Sequence, residues 1–242
     1  MLIPLIQPQD EDWPQREALL QQAKEAFSTE PSFNGVIQGR RWIELGKRGF
    51  RTSYFPSKKN ASGHLTSVYL PMESRLELAY AVQLERASTV RAFRTQAIEL
   101  DVPGGTHFPD FLVVDHTGYL HLFEVKPDRR YLSTETLERT NHLHQKLARW
   151  GISYAIVDSL DLPQGRQLEN LLWLNQRITT YPERDEIEAF RALHIEKSTF
   201  GELRALCGFF RIAESLVSFL LFTGELHTDW TKPIDDESEV WR

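Results

Sequence analysis

The stretch THFPDFLVVDHTGYLHLFEVKPD, residues 106–128, decides how this chain is read. Two apolar runs flank the turn-forming segment Asp115–Gly118, which is the pattern of an antiparallel hairpin. Asp110 stands in the first run, Glu124 and Lys126 in the second. Charges inside a sheet are costly to bury unless they are paired or bound to a metal. Residues two apart on a strand face the same side, so Glu124 and Lys126 share a face and Val125 takes the other. A turn centred near Thr117 brings Asp110 opposite Glu124 or close to it. Two such carboxylates repel unless a divalent cation sits between them. The plainer alternative is a surface Lys–Glu pair and a strand-end aspartate, which contribute little stability.

Outward from the hairpin, the pattern predicts a mixed α/β chain. Residues 14–28 form an amphipathic helix with Pro14 in its first turn. LTSVYLP is a strand, and ESRLELAYAVQLERA, residues 73–87, carries a helical repeat. VRAFRTQAIEL alternates like a half-buried strand that Pro103-Gly104-Gly105 ends. Ser133 caps a helix running to Trp150, and Gly151 stops it. ISYAIVD is a near-continuous apolar run, expected to be a central strand buried on both faces. QLENLLWLNQRI is a further helix, and a boundary is expected around residues 176–184. Beyond it lie EIEAFRALH, TFGELRALCG and IAESLVSFLLFTG, with Thr199 as a cap, Gly208 between the second and third helices, and ELHTDW as a β wing. This is a helix-turn-helix or winged-helix pattern. Its third helix has few basic residues, which leaves protein docking and DNA reading equally open. Domains are expected at 1–178 and 179–242.

Composition narrows the classes. The 242 residues are 41% hydrophobic and 26% charged, an ordinary globular profile. No apolar run is long enough to span a bilayer, and the N-terminus lacks the basic flank and apolar core of a signal peptide. Cys207 is the single cysteine, which excludes an internal disulfide and a cysteine-rich zinc site. A cytoplasmic protein is the expectation. The net charge of −6 argues against coating nucleic acid by bulk charge. The charge is unevenly spread, however. Residues 38–60 hold Arg40, Arg41, Lys47, Arg48, Arg51, Lys58 and Lys59 against Glu44, with Trp42, Phe50, Tyr54 and Phe55 interleaved, whereas residues 225–242 are acidic. Lys47, Arg48, Arg51, Lys58 and Lys59 are the preferred DNA-backbone contacts, with Arg129 and Arg130 as further candidates.

Pro109-Asp110 followed by Glu124-Val125-Lys126 is the PD-(D/E)xK nuclease motif. These residue types suit metal-assisted phosphodiester hydrolysis: carboxylates fix the metal, which activates water, and the lysine stabilises developing charge or orients the nucleophile. Ser74-Arg75-Leu76-Glu77, FRTQAIEL, Asp110-Phe111-Leu112-Val113 and Val125-Lys126-Pro127, in that order, resemble the catalytic domain of TnsA, the endonuclease subunit of heteromeric transposases, over residues 45–160. The resemblance implies a restriction-endonuclease-like mixed sheet flanked by helices. It implies catalytic Glu77, Asp110, Glu124 and Lys126, with Glu77, Asp110, Glu124 and the Val125 carbonyl on Mg²⁺, for which Mn²⁺ could substitute. It also implies cleavage of the 5′ strands of double-stranded DNA at transposon ends, beside a TnsB-like transposase and a TnsC-like AAA+ ATPase. The family admits glutamine where Glu124 stands. The alternatives are a stand-alone restriction-like or repair nuclease with the same site, and an assembly platform that does not cut. Around the core set, Glu73 reads as a first-turn glutamate favoured by the helix dipole, and His107 as a strand-end histidine. Gln96 either positions a metal ligand or water, or faces solvent.

Overall fold

The hairpin forms as its alternation dictates. In a computed structural model, which describes residues 7, 10–44, 46, 52–61 and 65–242, the two arms pair antiparallel, with Phe111 opposite Phe123 and Val114 opposite Leu120. Asp115 accepts from the Thr117 and Tyr119 backbone N–H groups and fixes the turn.

The chain divides into two units, Met1–Leu162 and Pro163–Arg242. The first contains α1 (Trp13–Ser28), β1 (Ser53–Ser57), β2 (Val68–Met72), α2 (Arg75–Arg86), β3 (Val90–Thr95), β4 (Leu100–Val102), β5 (Gly105–His107), β6 (Phe111–Asp115), β7 (Leu120–Lys126), α3 (Thr134–Arg149) and β8 (Ser153–Asp158). Its principal sheet has the order β3-β6-β7-β8. The first three strands run antiparallel, and β8 joins β7 in parallel after the α3 crossover. On one face Leu112, Leu122 and Tyr154 pack with Leu19 of α1 and Leu143 and Leu147 of α3. On the other, Tyr80 of α2 makes edge contacts with Phe111 and Phe123. Alternation along β6 and β7 therefore feeds two apolar layers.

Helix ends follow their capping residues. Ser74 accepts from Glu77 N–H at the start of α2, and Ser133 from Thr136 N–H at the start of α3. Two expectations are corrected here. ISYAIVD is an edge strand, not a central one: it closes the order of the sheet, and Ser153 and Ala155 are exposed. The strand VRAFRT also ends at Thr95, because Gln96 adopts a left-handed backbone (φ 50°) that turns the chain out of β3.

The second unit contains α4 (Gly165–Arg177), α5 (Arg184–Ala192), β9 (Lys197–Thr199), α6 (Phe200–Phe209), α7 (Ser215–Thr223), β10 (His227–Thr228) and β11 (Glu239–Trp241), with sheet order β10-β11-β9. The boundary falls at 162/163 instead of 178/179. The reason is packing: α4 buries Leu168, Leu171 and Leu174 and lies against α7, so it belongs with the second unit. Gly208 lies within α6, and the break between α6 and α7 comes at Phe210 and Arg211, the latter left-handed at φ 58°. Almost all of α7 is buried, including Leu216, Val217, Leu220, Leu221 and Phe222. Thr199 caps α6 through a reciprocal pair, its Oγ1 accepting from Glu202 N–H and Glu202 Oε2 accepting from Thr199 N–H. Thr199→Ala will lower stability by about 1 kcal/mol in urea denaturation of the full chain, with the urea dependence unchanged.

Candidate active site

Asp110 immediately precedes β6, and continuing the hairpin register by one residue sets it opposite Glu124. Its carboxylate is held on both oxygens: Val125 N–H donates to Oδ2 at 2.7 Å and Gln96 Nε2 donates to Oδ1 at 2.9 Å. Burial raises its pKa most. The Val125 hydrogen bond opposes that rise, the Glu124 charge adds to it, and Lys126 and Gln96 act against it; the balance stays above the usual aspartate value.

Glu77 reaches the same corner from α2. As the third helical residue it fits a capping role, accepting from Glu73 N–H at 2.9 Å and from Ser74 Oγ at 2.9 Å. Capping does not require burial, yet Glu77 is only 6% exposed. Burial, and next the Asp110 charge, push its carboxyl up to about 7. Among the described residues no cationic side chain forms an ion pair with Glu77 or Asp110, although the Lys126 charge opposes the rise at Asp110.

Glu124 is the opposite case. Lys126 Nζ lies 2.6 Å from Oε1, with Arg139 3.3 Å from the same oxygen; the Tyr154 hydroxyl donates to Oε2 at 2.5 Å, and His107 Nε2 is 3.5 Å away. Burial alone would raise its pKa, but hydrogen bonds from His107, Lys126 and Tyr154 and the lysine charge outweigh that and hold it well below the usual glutamate range. The sequence-predicted set of Glu77, Asp110, Glu124 and Lys126 is thus brought to one corner, but not as a finished cage. Among the described residues no three His, Cys, Asp or Glu side chains are arranged to hold a metal ion; Glu124 Oε1 is turned to Lys126 and Arg139, and Oε2 to Tyr154 and His107. Val125 contributes through its N–H, which donates to Asp110.

The basic candidates divide. Lys47, Arg48 and Arg51 lie outside the described residues. Lys59 turns inward: its ammonium donates to Val90 O at 2.7 Å and to Ala87 O at the C-terminal end of α2, and burial lowers its pKa to about 8. Burial also lowers the pKa of Lys58. Arg129 is engaged by Asp158 and Asp161, and Arg130 by Asp128. A phosphate would have to compete with those carboxylates at Arg129 and Arg130, and with backbone carbonyls at Lys59.

The sequence reading missed Tyr154 and Arg139 and did not decide on Gln96. A tyrosine in the apolar run of ISYAIVD was the available signal, since a buried hydroxyl needs a partner. Arg139 carried no signal, because its contact depends on how α3 crosses the sheet. No protein-family model matches the chain, and no curated protein is significantly similar to it.

Proposed function

We propose that this protein is a TnsA-type, divalent-metal-dependent DNA endonuclease, cutting the 5′ strands at transposon ends beside a TnsB-type transposase and a TnsC-type ATPase. One observation carries the reading: buried Glu77 and partly buried Asp110 are two carboxylates with raised pKa values and no ion-pair partner among the described residues, beside a Glu124–Lys126 pair. That donor set suits a hard divalent cation. When bound by Asp110 and Glu77, Mg²⁺ supplies Lewis-acid polarisation of the phosphoryl oxygen and a lowered pKa for water. The chain's own residues do the rest. Glu124 holds the Lys126 ammonium at the site, Tyr154 and Arg139 hold Glu124, and Lys126 donates to charge that develops on the phosphate or aligns the attacking water. The four-stranded sheet with α2 on one face and α1 and α3 on the other supports a restriction-endonuclease-like architecture.

The second unit supports a partner-dependent enzyme. Its order α5-β9-α6-α7-β10-β11 is that of a winged helix. The helix that would read a major groove is α7, which is buried and offers no polar face. Protein contact is therefore the better reading of this unit. No helix among the described residues is long and apolar enough to cross a membrane.

The test is strand-specific nicking of transposon-end DNA with the cognate transposase and ATPase present. Lys126→Ala will lower 5′-strand cleavage by about 10²-fold to 10³-fold, the scale of losing one charge-stabilising donor. Cleavage at the wild-type rate would remove Lys126 and its partners from the chemistry. Rapid cutting of plain DNA without partners would instead favour the stand-alone nuclease.

A further inference from the structure

The segment carrying Gly39-Arg40-Arg41 runs against the chain where β3 ends. An ideal Cβ on Gly39 would lie 2.2 Å from Thr95 O and 2.5 Å from Gln96 O, so no other residue permits this approach without moving backbone. Arg41 N–H then donates to Gln96 O at 3.2 Å, and Arg41 Nε donates to Gln96 Oε1 at 3.1 Å. Gln96 is fully buried, and its own N–H donates to Asp110 O at 3.1 Å. Its side-chain amide therefore lies between a donor, the Arg41 guanidinium, and an acceptor, the Asp110 carboxylate. An amide has one end of each kind. Turned the other way, it would set NH₂ against N–H on one side and oxygen against a carboxylate oxygen on the other.

We infer that Arg41 and Gln96 are positioning residues for Asp110: Arg41 fixes the orientation of the Gln96 amide, and Gln96 so oriented holds the Asp110 carboxylate. This deepens the proposed function and rests on its reading of Asp110 as a metal ligand. The same guanidinium also touches the residue that holds the second carboxylate. Arg41 pairs with Glu73, whose N–H donates to Glu77 Oε2 at 2.9 Å. One arginine thus contacts both residues, Gln96 and Glu73, that donate to the two carboxylates. Its side chain is 43% exposed, so replacing it opens no cavity in the core. Residues that hold metal ligands without touching the metal contribute about 10-fold to 100-fold in affinity.

Two measurements on the full chain test this. In the first, Mn²⁺ alone is titrated without DNA and followed by electron paramagnetic resonance of the free ion. Arg41→Met and Gln96→Leu will each weaken binding by about 10-fold to 100-fold, and the double variant no further than the worse single one, because the pair acts as one unit. Wild-type affinity in both single variants, or fully additive losses, would overturn the inference. In the second, the Gln96 side-chain amide protons are followed by NMR hydrogen exchange. They will be protected in the wild type and exchange quickly in Arg41→Met, whose fold is checked by its unchanged backbone spectrum. Equal protection in both would overturn the orientation argument by itself. If the amide behaves as expected while the wild type binds no Mn²⁺, the positioning stands and the metal reading of the site falls.

Discussion

Asp110→Ala will abolish 5′-strand cleavage, lowering it by at least about 10³-fold, because metal-assisted chemistry supplies several kcal/mol and each 1.4 kcal/mol is tenfold. Asp110 is the residue on which every part of the corner converges: it is opposite Glu124, it accepts from Val125 and Gln96, and its charge raises the Glu77 pKa. Removing it leaves the Val125 and Gln96 donors without their acceptor but also relieves the repulsion with Glu77, so the loss of activity will exceed anything the fold loses. Thermal unfolding beside the nicking assay separates the two. If the variant cuts the 5′ strand at the wild-type rate, the corner is not catalytic. If it also supports complete transposition with the 5′ strands left uncut, the protein acts as an assembly platform.

Glu77→Gln will make the metal-free protein more stable at pH 8. The Glu77 carboxyl titrates near 7 in the fold against an ordinary value of 4.5, so the native state holds a proton that the unfolded chain has already released. Between those values stability falls as pH rises, reaching a deficit of about 3 kcal/mol above pH 7. Glutamine carries no charge and removes the deficit. It keeps one acceptor for Glu73 N–H and turns its amide to Ser74 Oγ, at some cost to the cap. The expected net gain is about 2 kcal/mol at pH 8, or about 4–8 °C in the unfolding midpoint, shrinking towards zero at pH 5. Mg²⁺ will raise the midpoint of the wild type at pH 8 and leave the variant largely unmoved. A gap between the proteins that does not change from pH 5 to pH 8 would show that Glu77 is ionised in the fold as in any exposed helix, and that its charge is not what strains this corner.

The hairpin was legible because its logic is local. Alternation and a turn at Asp115–Gly118 are enough to set Asp110 opposite Glu124, and the Ser-x-x-Glu spacing is enough to start α2 with Glu77 in its first turn. What was not legible depends on contacts far apart in sequence. Arg41 and Gln96 meet only because Gly39 allows two backbones to touch. Arg139 meets Glu124 only after the α3 crossover. The misjudged strand β8 has a simple cause: Ala155 counts as apolar but tolerates exposure, so a strand with one covered face looked like one with two. The misplaced boundary has a similar one. The apolar face of α4 shows that the helix must be covered, but not by which neighbour, and α7 covers it.

The left-handed backbone at Gln96 bears on how this protein can be engineered. A residue with a Cβ held there costs about 1–2 kcal/mol, but glycine would also empty a fully buried site and leave Arg41 and the Asp110 carboxylate without the amide between them. A library screened only for melting temperature will therefore keep Gln96 and enrich neutral replacements of Glu77, which on the proposed reading yields a hardier protein that cuts DNA less. Selection for heat resistance in this chain needs a cleavage readout run in parallel, since the buried carboxyl easiest to neutralise is one that the proposed chemistry uses.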